Sequence, residues 1–259
     1  MIMSILSKVK KHFFLFQELT KRDFKKKYKR TVLGMGWSIL SPLLQLLIMS
    51  VVFRDLFGKN TPHFTIYLFC GVLLFNYFSE STKSGMKALV ENAKIFSKVN
   101  VPKYLFLFSK NLSSLINFGL TLLVFFAFCL FDSIVFSWNF FALLYPICCL
   151  VVFNLGMGLI ISALNVFFRD VGYLYDIFIM LLRYLSAIFY TADRLSPALQ
   201  KVLYLNPVYC YIKYFRIVVL DGHLPSPQYH LLCAFYSLAV FGIGALIYKV
   251  CNRKFVYYV

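Results

Sequence analysis

The apolar positions of this chain fall into long runs that short polar segments separate. A helix needs about 20 mainly apolar residues to cross the hydrocarbon core of a bilayer, and about six runs are near or above that length. Because every backbone polar group in lipid must be bonded internally, we expect these runs to fold as helices. The pattern predicts an all-α, polytopic membrane protein. The predicted spans are residues 37–57, 63–82, 104–131, 140–168, 171–190 and 229–250.

Residues 1–30 have a different pattern, in which an apolar stripe at helical spacing lies opposite basic residues. The stripe consists of Ile2, Ile5, Leu6, Val9, Phe13 and Phe16. Farther along, Thr20 and Asp23 have the spacing of a helix cap, which predicts a new helix that starts at Thr20. A solvated basic arm would leave the stripe unexplained, so we expect an interfacial helix on the anionic cytoplasmic leaflet. The residues expected at this interface are Lys25, Lys26, Lys27, Lys29, Arg30 and Trp37.

Two further segments are neither spans nor simple loops. Residues 83–103 alternate small apolar groups with lysines, which predicts a short helix parallel to the membrane. Residues 191–227 are rich in Leu, Tyr and Phe and are interrupted by four prolines. We expect short helices there that enter the outer leaflet and pack on protein, since irregular backbone exposed to lipid would be unpaired. The whole chain, residues 1–259, is predicted to form a single membrane domain.

Composition and charge support this membrane reading. Hydrophobic residues make up 61% of the chain and charged residues 14%, whereas soluble domains carry about 25% charged residues. The net charge of +17 suggests nucleic-acid binding, but the basic residues lie between apolar runs rather than on a soluble face, so no nucleic-acid partner is expected. They are concentrated in residues 1–30, in residues 83–110 and after the last span. The positive-inside rule therefore predicts that both termini are cytoplasmic.

The sequence contains no recognisable catalytic machinery. Its four histidines are scattered, and its seven cysteines have neither metal-ligand nor disulfide spacing. The pairs Gly34/Gly36 and Gly156/Gly158 lack the strand and helix context of a nucleotide loop, and we expect them to serve turns and helix packing. We therefore expect no metal site, no cofactor and no enzymatic activity on this chain.

Two ionisable residues lie within the fifth predicted span. Asp176 and Arg183 are seven residues apart, which puts them near one helix face and about 10 Å apart along the axis. A cation at the centre of a bilayer costs about 2.5–3.5 kcal/mol, so such residues usually face protein or a water-filled path. Arg183 either lines a translocation path and meets anionic substrate groups, or extends its side chain toward the outer interface.

Four stretches follow one another along the chain: KRTVLGMGWS at 29–38, VENA and VPK within 90–103, LNVFFRDV at 164–171, and YLNPVY followed by Phe215 and Arg216 within 204–216. In this order they resemble the membrane-spanning subunits of polysaccharide ABC exporters, which export O-antigen, capsular polysaccharide or teichoic acid. The similarity extends over nearly the whole chain. In this family the span that carries Asp176 and Arg183 is usually apolar, and this departure hints at a charged polymer.

The resemblance implies a homodimer of this chain that is paired with two copies of a separate ABC ATPase. ATP and Mg²⁺ would bind to the ATPase, and this chain would form the conduit for a lipid-linked polysaccharide through the bacterial plasma membrane. Residues 90–101 would form the coupling element, residues 165–170 a second ATPase contact, and residues 191–227 a gate at the outer opening. The implied ATPase-coupling residues are Glu91, Asn92, Lys94, Lys98, Arg169 and Asp170.

Aromatic side chains suit a glycan path, because their rings stack on sugars while tyrosine hydroxyls form hydrogen bonds. Transmembrane helices are rich in such residues in any case, so which ones face a path is left open. The candidate path residues are Tyr67, Phe75, Tyr77, Arg183, Tyr184 and Tyr190.

Two other functions are consistent with an apolar multi-span chain. A small-molecule or drug exporter subunit would have similar spans, but usually lacks the basic N-terminal helix and the coupling element. A membrane-embedded sugar transferase would need a cluster of acidic residues outside the membrane, and none is apparent. The sequence therefore favours a polysaccharide exporter subunit.

Overall fold

A computed structural model describes residues 2–29, 31–53, 62–99, 101–192, 195–252 and 254–258, with the backbone alone for residues 2–12, 50, 256 and 257. Every regular element in these ranges is helical, which confirms the all-α prediction. Three shorter helical turns precede α2 and α7 and follow α10. The α-helices are α1 (Ile2–Tyr28), α2 (Trp37–Phe53), α3 (Phe64–Met86), α4 (Ala88–Glu91), α5 (Ala93–Phe96), α6 (Tyr104–Phe131), α7 (Leu144–Phe167), α8 (Val171–Leu185), α9 (Pro197–Leu203), α10 (Pro207–Arg216), α11 (Pro227–Cys251) and α12 (Phe255–Tyr258).

Helix α3 lies at the centre of the main apolar core. Its Ile66, Leu68 and Leu74 are completely buried, because α6, α7 and α10 pack around it. Aromatic rings fill the spaces between these helices: Phe69 of α3 meets Phe125 of α6 edge-on, with ring centroids 5.3 Å apart. Helix α3 therefore contributes a large part of the main core, and α6, α7 and α10 are positioned against it.

A second apolar cluster joins the N-terminal helix to the segment between α3 and α6. Leu19 of α1, Leu89 of α4 and Phe106 of α6 are buried together, and Phe255 of α12 closes the cluster. The contact fixes the C-terminal half of α1 against α4 and α6. The prediction that α1 also lies on a lipid surface remains a prediction.

Helices α7 and α11 approach each other closely at two glycines. A Cβ on Gly156 would lie 2.5 Å from the backbone nitrogen of Phe241, and one on Gly244 would lie 2.7 Å from the carbonyl oxygen of Gly156. Only glycine permits this approach, as is common between membrane helices. Gly34 has φ +52° in the turn before α2. The expected turn and helix-packing roles of these glycine pairs are confirmed.

Four helical stretches of the described residues are long and apolar enough to cross a membrane: Gly34–Phe53, Tyr104–Phe131, Trp138–Phe167 and Pro227–Cys251. The other two predicted spans correspond to α3, which has 23 residues, and α8, which has 15. A 15-residue helix is about 22 Å long, shorter than the hydrocarbon core of about 30 Å. The number of spans therefore stays a prediction.

Helix α8 ends at Leu185, five residues before the predicted end of the fifth span. Ala187 adopts φ +48°, a left-handed conformation that stops a right-handed helix. The guanidinium of Arg216 donates hydrogen bonds to the carbonyl oxygens of Ala187 and Ile188, at 2.8 and 3.1 Å, and so binds backbone groups that a longer helix would have paired.

The expected helix start at Thr20 is wrong, because α1 is continuous from Ile2 to Tyr28. The hydroxyl of Thr20 donates to the carbonyl oxygen of Phe16, 2.8 Å away, a bond that a Thr within a helix readily forms with the preceding turn. Asp23 does not cap this helix either. Its carboxylate turns toward α6, where Ser109 donates to it at 3.4 Å.

Both segments that were expected to contain short helices do contain them. Residues 83–103 include α4 and α5, and residues 191–227 include α9 and α10. Helix α10 begins at a proline, and the side chain of Asn206 accepts hydrogen bonds from the backbone nitrogens of Val208 and Tyr209, at 3.0 and 3.4 Å. This capping defines the start of α10. The depth of either segment in a membrane remains a prediction.

Candidate functional site

A polar cavity of about 610 Å³ lies between the end of α1 and helices α2, α3, α6 and α8. This volume is within the range of small-molecule sites, about 300–1,000 Å³. Its walls combine amides, hydroxyls, aromatic rings and three charged groups in an otherwise apolar helix bundle. The lining includes Lys27, Tyr28, Trp37, Ser38, Ser41, Gln45, Asn76, Tyr77, Glu80, Ser114, Asn117, Thr121 and Arg183.

At one end of the cavity, which we name the α1 end, charged and polar groups join α1 to α3 and α6. The ammonium of Lys27 lies 2.9 Å from one carboxylate oxygen of Glu80, and the amide of Asn117 donates to the other oxygen at 3.1 Å. The hydroxyl of Tyr28 donates to the amide oxygen of Asn117 at 2.5 Å. These bonds neutralise the charge of Glu80 and hold the last turn of α1 across this end of the cavity.

At the other end, which we name the α8 end, an arginine reaches the cavity through a pair of amides. Asn76 donates to the side-chain oxygen of Gln45 at 2.9 Å, and Arg183 donates to the side-chain oxygen of Asn76 at 3.3 Å. The guanidinium also lies over the ring of Phe75, 5.1 Å from its centroid. Among the carboxylates of the described residues, none forms an ion pair with Arg183. The α8 end therefore carries net positive charge.

Near the cavity, charged groups of α1, α4 and α6 form a cluster in which two of the charged side chains are buried and two are partly exposed. Lys110 lies 2.9 Å from Glu91 and 3.6 Å from Asp23, although it is only 9% exposed. Arg22 completes the cluster, since it bonds to Asp23 and to the side-chain oxygen of Asn92, each at 2.8 Å. We name these five residues the ionic cluster. It joins the N-terminal helix to the segment between α3 and α6.

The pKa of Glu91 reflects a balance between burial and basic neighbours. Burial alone would raise the pKa of Glu91, but the hydrogen bond and charge of Lys110, with Lys26 and Lys87 nearby, outweigh that effect and lower the pKa. Lys26 of α1 lies 3.7 Å from the same carboxylate. Glu91 therefore stays ionised and bonded to its basic partners down to a more acidic pH than a solvated glutamate.

A separate polar group lies near the C-terminal end of α8. Arg216 is buried, and its guanidinium stacks 3.5 Å from the ring centroid of Tyr67 while it donates to the carbonyl oxygen of that residue at 3.1 Å. The hydroxyl of Tyr67 in turn donates to the carbonyl oxygen of Tyr190 at 2.8 Å. This arrangement fixes the chain reversal between α8 and α9 against α3.

The sequence profile of the ABC-2 type transporter family matches residues 14–220, which is most of the chain. The chain belongs to the ABC-2 type transporter family. It is therefore a membrane transport protein.

Several individual transporters of known name are similar to this ABC-2 transporter. It is 26% identical over 249 residues to the O-antigen export system permease protein RfbA of Klebsiella pneumoniae, with 94% of each chain covered. The protein of the same name from Myxococcus xanthus is 24% identical over 245 residues, which cover 93% of this chain and 94% of that one. The polysialic acid transport protein KpsM of Escherichia coli is 22% identical over 231 residues, covering 88% and 90%. The similarity thus extends over nearly the full length of each relative.

The structure divides the expected ATPase-coupling residues of this transporter into two groups. Glu91 and Asn92 belong to the ionic cluster, and the side chain of Asn92 is buried. The remaining members are exposed, two on or beside α5 and two at the turn between α7 and α8. These exposed members are Lys94, Lys98, Arg169 and Asp170.

The candidate path residues also divide. Tyr77 and Arg183 line the cavity, and Phe75 is buried beneath the guanidinium of Arg183. The other three residues lie near the end of α8, where the hydroxyl of Tyr190 donates to the carbonyl oxygen of Tyr184 at 3.0 Å and that of Tyr67 donates to Tyr190. The structure brings Tyr77 and Arg183 to the cavity, places Phe75 behind Arg183, and leaves the other three residues outside the cavity.

The expected interfacial residues are mostly exposed, but two of them form ion pairs within the protein. Lys26 pairs with Glu91 and Lys27 with Glu80, and Trp37 lines the cavity. Lys25 and Lys29 are exposed on α1. Arg30 lies outside the described residues.

Sequence reasoning missed most of the polar groups of the cavity and of the ionic cluster. The sequence did contain a signal for the cavity, because polar residues within apolar spans usually face protein or a water-filled path. These residues are Gln45, Asn76, Glu80 and Asn117. Lys110 gave the same signal at the start of the third span. Their partners could not be read from the sequence, because these residues lie on different helices.

Proposed function

We propose that this chain is the membrane-spanning subunit of an ATP-driven exporter of lipid-linked polysaccharide such as O-antigen, capsular polysaccharide or teichoic acid. The observation that carries the proposal is the nearly end-to-end similarity to O-antigen and polysialic acid transport proteins. Members of one transporter family can move different substrates, so support is also needed from the chemistry of the cavity.

The cavity has the chemistry of a glycan site. Amides such as Gln45, Asn76 and Asn117 both donate and accept hydrogen bonds, as sugar hydroxyls require. The rings of Trp37 and Tyr77 are part of the same wall, and such rings pack against the apolar faces of sugars. This mixture would be costly in a bundle that only faced lipid, and it supports a hydrated path.

Arg183 gives the path a preference for anions. Its bond to Asn76 and its position over Phe75 direct the guanidinium into the cavity, which supports a role in the path over extension toward the outer interface. Without a carboxylate partner among the described residues, the guanidinium is available to a phosphate or an acidic sugar.

ATP hydrolysis belongs, in this proposal, to a separate ABC ATPase, present in two copies that hold ATP and Mg²⁺. The exposed residues Lys94, Lys98, Arg169 and Asp170 would meet it, since α5 and the turn before α8 both present charged side chains. This chain would bind no cofactor of its own. It would transmit the movement of the ATPase to the cavity.

A second copy of this chain would cover the exposed side of α2 and α8. Apolar side chains such as Leu47, Ile48, Leu174 and Leu181 are more than half exposed there. A carboxylate is also exposed on α8: the side chain of Asp176 is 60% exposed and lies 2.6 Å from Lys83 of α3. An ion pair that faced lipid would be costly, so the pair of Asp176 and Lys83 supports a protein or water neighbour at this surface. A second copy of the chain around a shared path would supply that neighbour.

The proposed location is the bacterial plasma membrane, with both termini in the cytoplasm. The lysines of α1, those of residues 83–103 and Lys249 near the end of α11 would then share the cytoplasmic side, as the positive-inside rule requires. Residues 191–227 would lie at the outer surface.

Deletion of the gene in the source bacterium tests the proposal. We expect lipid-linked polymer to accumulate inside the cell while surface polymer disappears, and the wild-type gene to restore export. Unchanged surface polymer would refute the exporter function. Loss of the polymer both inside and outside would instead indicate a role in synthesis.

The role of Arg183 is tested in the same strain. Arg183→Ala should lower export at least about tenfold at a normal protein level, as expected from losing a charge-assisted bond of about 1.5–3 kcal/mol. Arg183→Lys is the matched control, because it retains the charge. Normal export by the alanine variant would remove Arg183 from the path and leave the exporter function standing.

A further inference from the structure

Two sets of charged contacts lie on successive turns of α1. Asp23 enters the ionic cluster, and Lys27 bonds to Glu80 at the α1 end of the cavity. The two residues are four positions apart on one uninterrupted helix, a distance of about 6 Å along its axis. A displacement of α1 at the ionic cluster must therefore displace it at the cavity as well.

Lys110 connects this helix to the segment formed by α4 and α5, which we name the coupling segment (residues 88–96). Its ammonium contacts Glu91 of that segment at 2.9 Å and Asp23 of α1 at 3.6 Å. Lys110 itself is carried by α6, which packs on the central helix α3. The three charges thus belong to three elements, one of which is held by the main core.

Two of the three charges are buried, whereas the side chain of Glu91 is 37% exposed, and the burial of this pair makes the positions of Asp23 and Lys110 depend on each other. Asp23 and Lys110 are 7% and 9% exposed, and a buried charge that loses its partner is strongly destabilising. If the coupling segment moves and withdraws Glu91, Asp23 becomes the remaining carboxylate partner of Lys110, so we expect the ammonium to shift toward Asp23 and α1 to shift with it. Arg22 reinforces the connection, because its guanidinium bonds to Asp23 of α1 and to Asn92 of the segment.

We propose that Lys110 is a positioning residue that transmits movement of the coupling segment to α1 and thereby opens or closes the α1 end of the cavity. This inference rests on the proposed function, since an ATPase docked below the coupling segment would supply the movement. In the structure, the last turn of α1 is held across that end by the bonds of Lys27 and Tyr28 to Glu80 and Asn117.

The test measures access to the cavity in two nucleotide states. Ser41, which lines the cavity, is changed to cysteine after the cysteines that are not buried, Cys148, Cys149 and Cys251, are changed to serine. The chain is purified with a hydrolysis-deficient ATPase partner in lipid nanodiscs. The rate of reaction with the charged thiol reagent methanethiosulfonate ethylsulfonate is then compared in ATP and in ADP.

We expect the two rates to differ about fivefold or more, the usual lower bound for coupled sites. Lys110→Met should reduce this ratio to less than about twofold without changing nucleotide affinity or the composition of the complex. Lys110→Arg, which keeps the charge, and Lys249→Met, which removes an exposed lysine from α11, should retain the ratio. If Lys110 had a purely structural role, Lys110→Met would lower the protein yield but would leave the ratio of the ATP and ADP reaction rates unchanged.

Asp23→Asn removes only the contribution of α1 and serves as the second variant if Lys110→Met does not fold. A full nucleotide-dependent ratio in either variant would overturn the inference while leaving the transport function intact. Equal reaction rates in ATP and ADP in the complex that keeps Lys110 and Asp23 would also overturn the inference. Failure of the chain to assemble with an ATPase would refute the proposed function together with this inference.

Discussion

The close approach of α7 and α11 gives a prediction whose size follows from the structure. In Gly156→Ala the new methyl carbon would lie 2.5 and 2.6 Å from the backbone nitrogen and Cα of Phe241. Ordinary contacts begin near 3.4 Å, so α11 must move away by about 1 Å along its whole contact with α7. Overpacking of this kind costs about 1–3 kcal/mol.

Gly242→Ala is the matched control, because Gly242 lies on α11 and a Cβ there would have nothing within 4 Å. Both substitutions remove the same backbone freedom, so the difference between them isolates the clash. At about 2–4 °C per kcal/mol, the midpoint of thermal unfolding should be about 2–12 °C lower for Gly156→Ala than for Gly242→Ala. The assay is thermal unfolding of the purified chain in detergent. Equal midpoints for the two variants would refute the packing argument.

Two further predictions concern buried and partly buried charges. Arg216→Lys cannot reproduce the bonds of the guanidinium to three carbonyl oxygens. Because each lost bond costs about 1.5–3 kcal/mol, this variant should unfold at a clearly lower temperature than the wild type in a thermal unfolding experiment. An unchanged unfolding midpoint would contradict the structural role of Arg216. Glu91 has a pKa below its ordinary value of 4.5, so its stabilising effect is present above that pH and is lost as the pH falls through the lowered pKa. The Glu91→Gln variant should therefore lose less stability than the wild type when the pH falls from 6 to 3, as measured by thermal unfolding. Equal falls in the unfolding midpoints of the two proteins would contradict this prediction.

The helical architecture was predictable because the bilayer imposes it locally. A run of about 20 apolar residues carries its own length requirement and its own backbone pairing, so no distant partner is needed to interpret it. The packing role of Gly156 and Gly158 was interpretable for a similar reason, since glycines within an apolar run indicate close helix packing wherever the neighbouring helices lie.

The polar contacts were not predictable, because each joins residues far apart in the sequence. Lys110 and Glu91 are 19 residues apart, and Arg22 and Asn92 are 70 apart. The end of α8 depends in the same way on Arg216, which is 29 residues from Ala187. A local pattern could show that these residues are unusual in their surroundings, but only the fold selects their partners.

The expected cap at Thr20 failed for a different reason. The spacing of Thr20 and Asp23 is common to helix starts and to helix interiors, and the choice depends on where the side chains find partners. Here Asp23 finds Arg22, Ser109 and Lys110. An isolated peptide with this sequence would lack the two partners on α6, so tertiary contacts override the local signal.

The backbone contact at Gly156 and Gly244 also constrains how the protein can change shape. Two helices whose main chains touch cannot slide or rotate past each other without collision, so α7 and α11 act as one stiff unit during a transport cycle. In contrast, α2 and α8 present large exposed surfaces. We therefore expect the paired helices to form a stationary frame while α1, α2 and α8 rearrange around it.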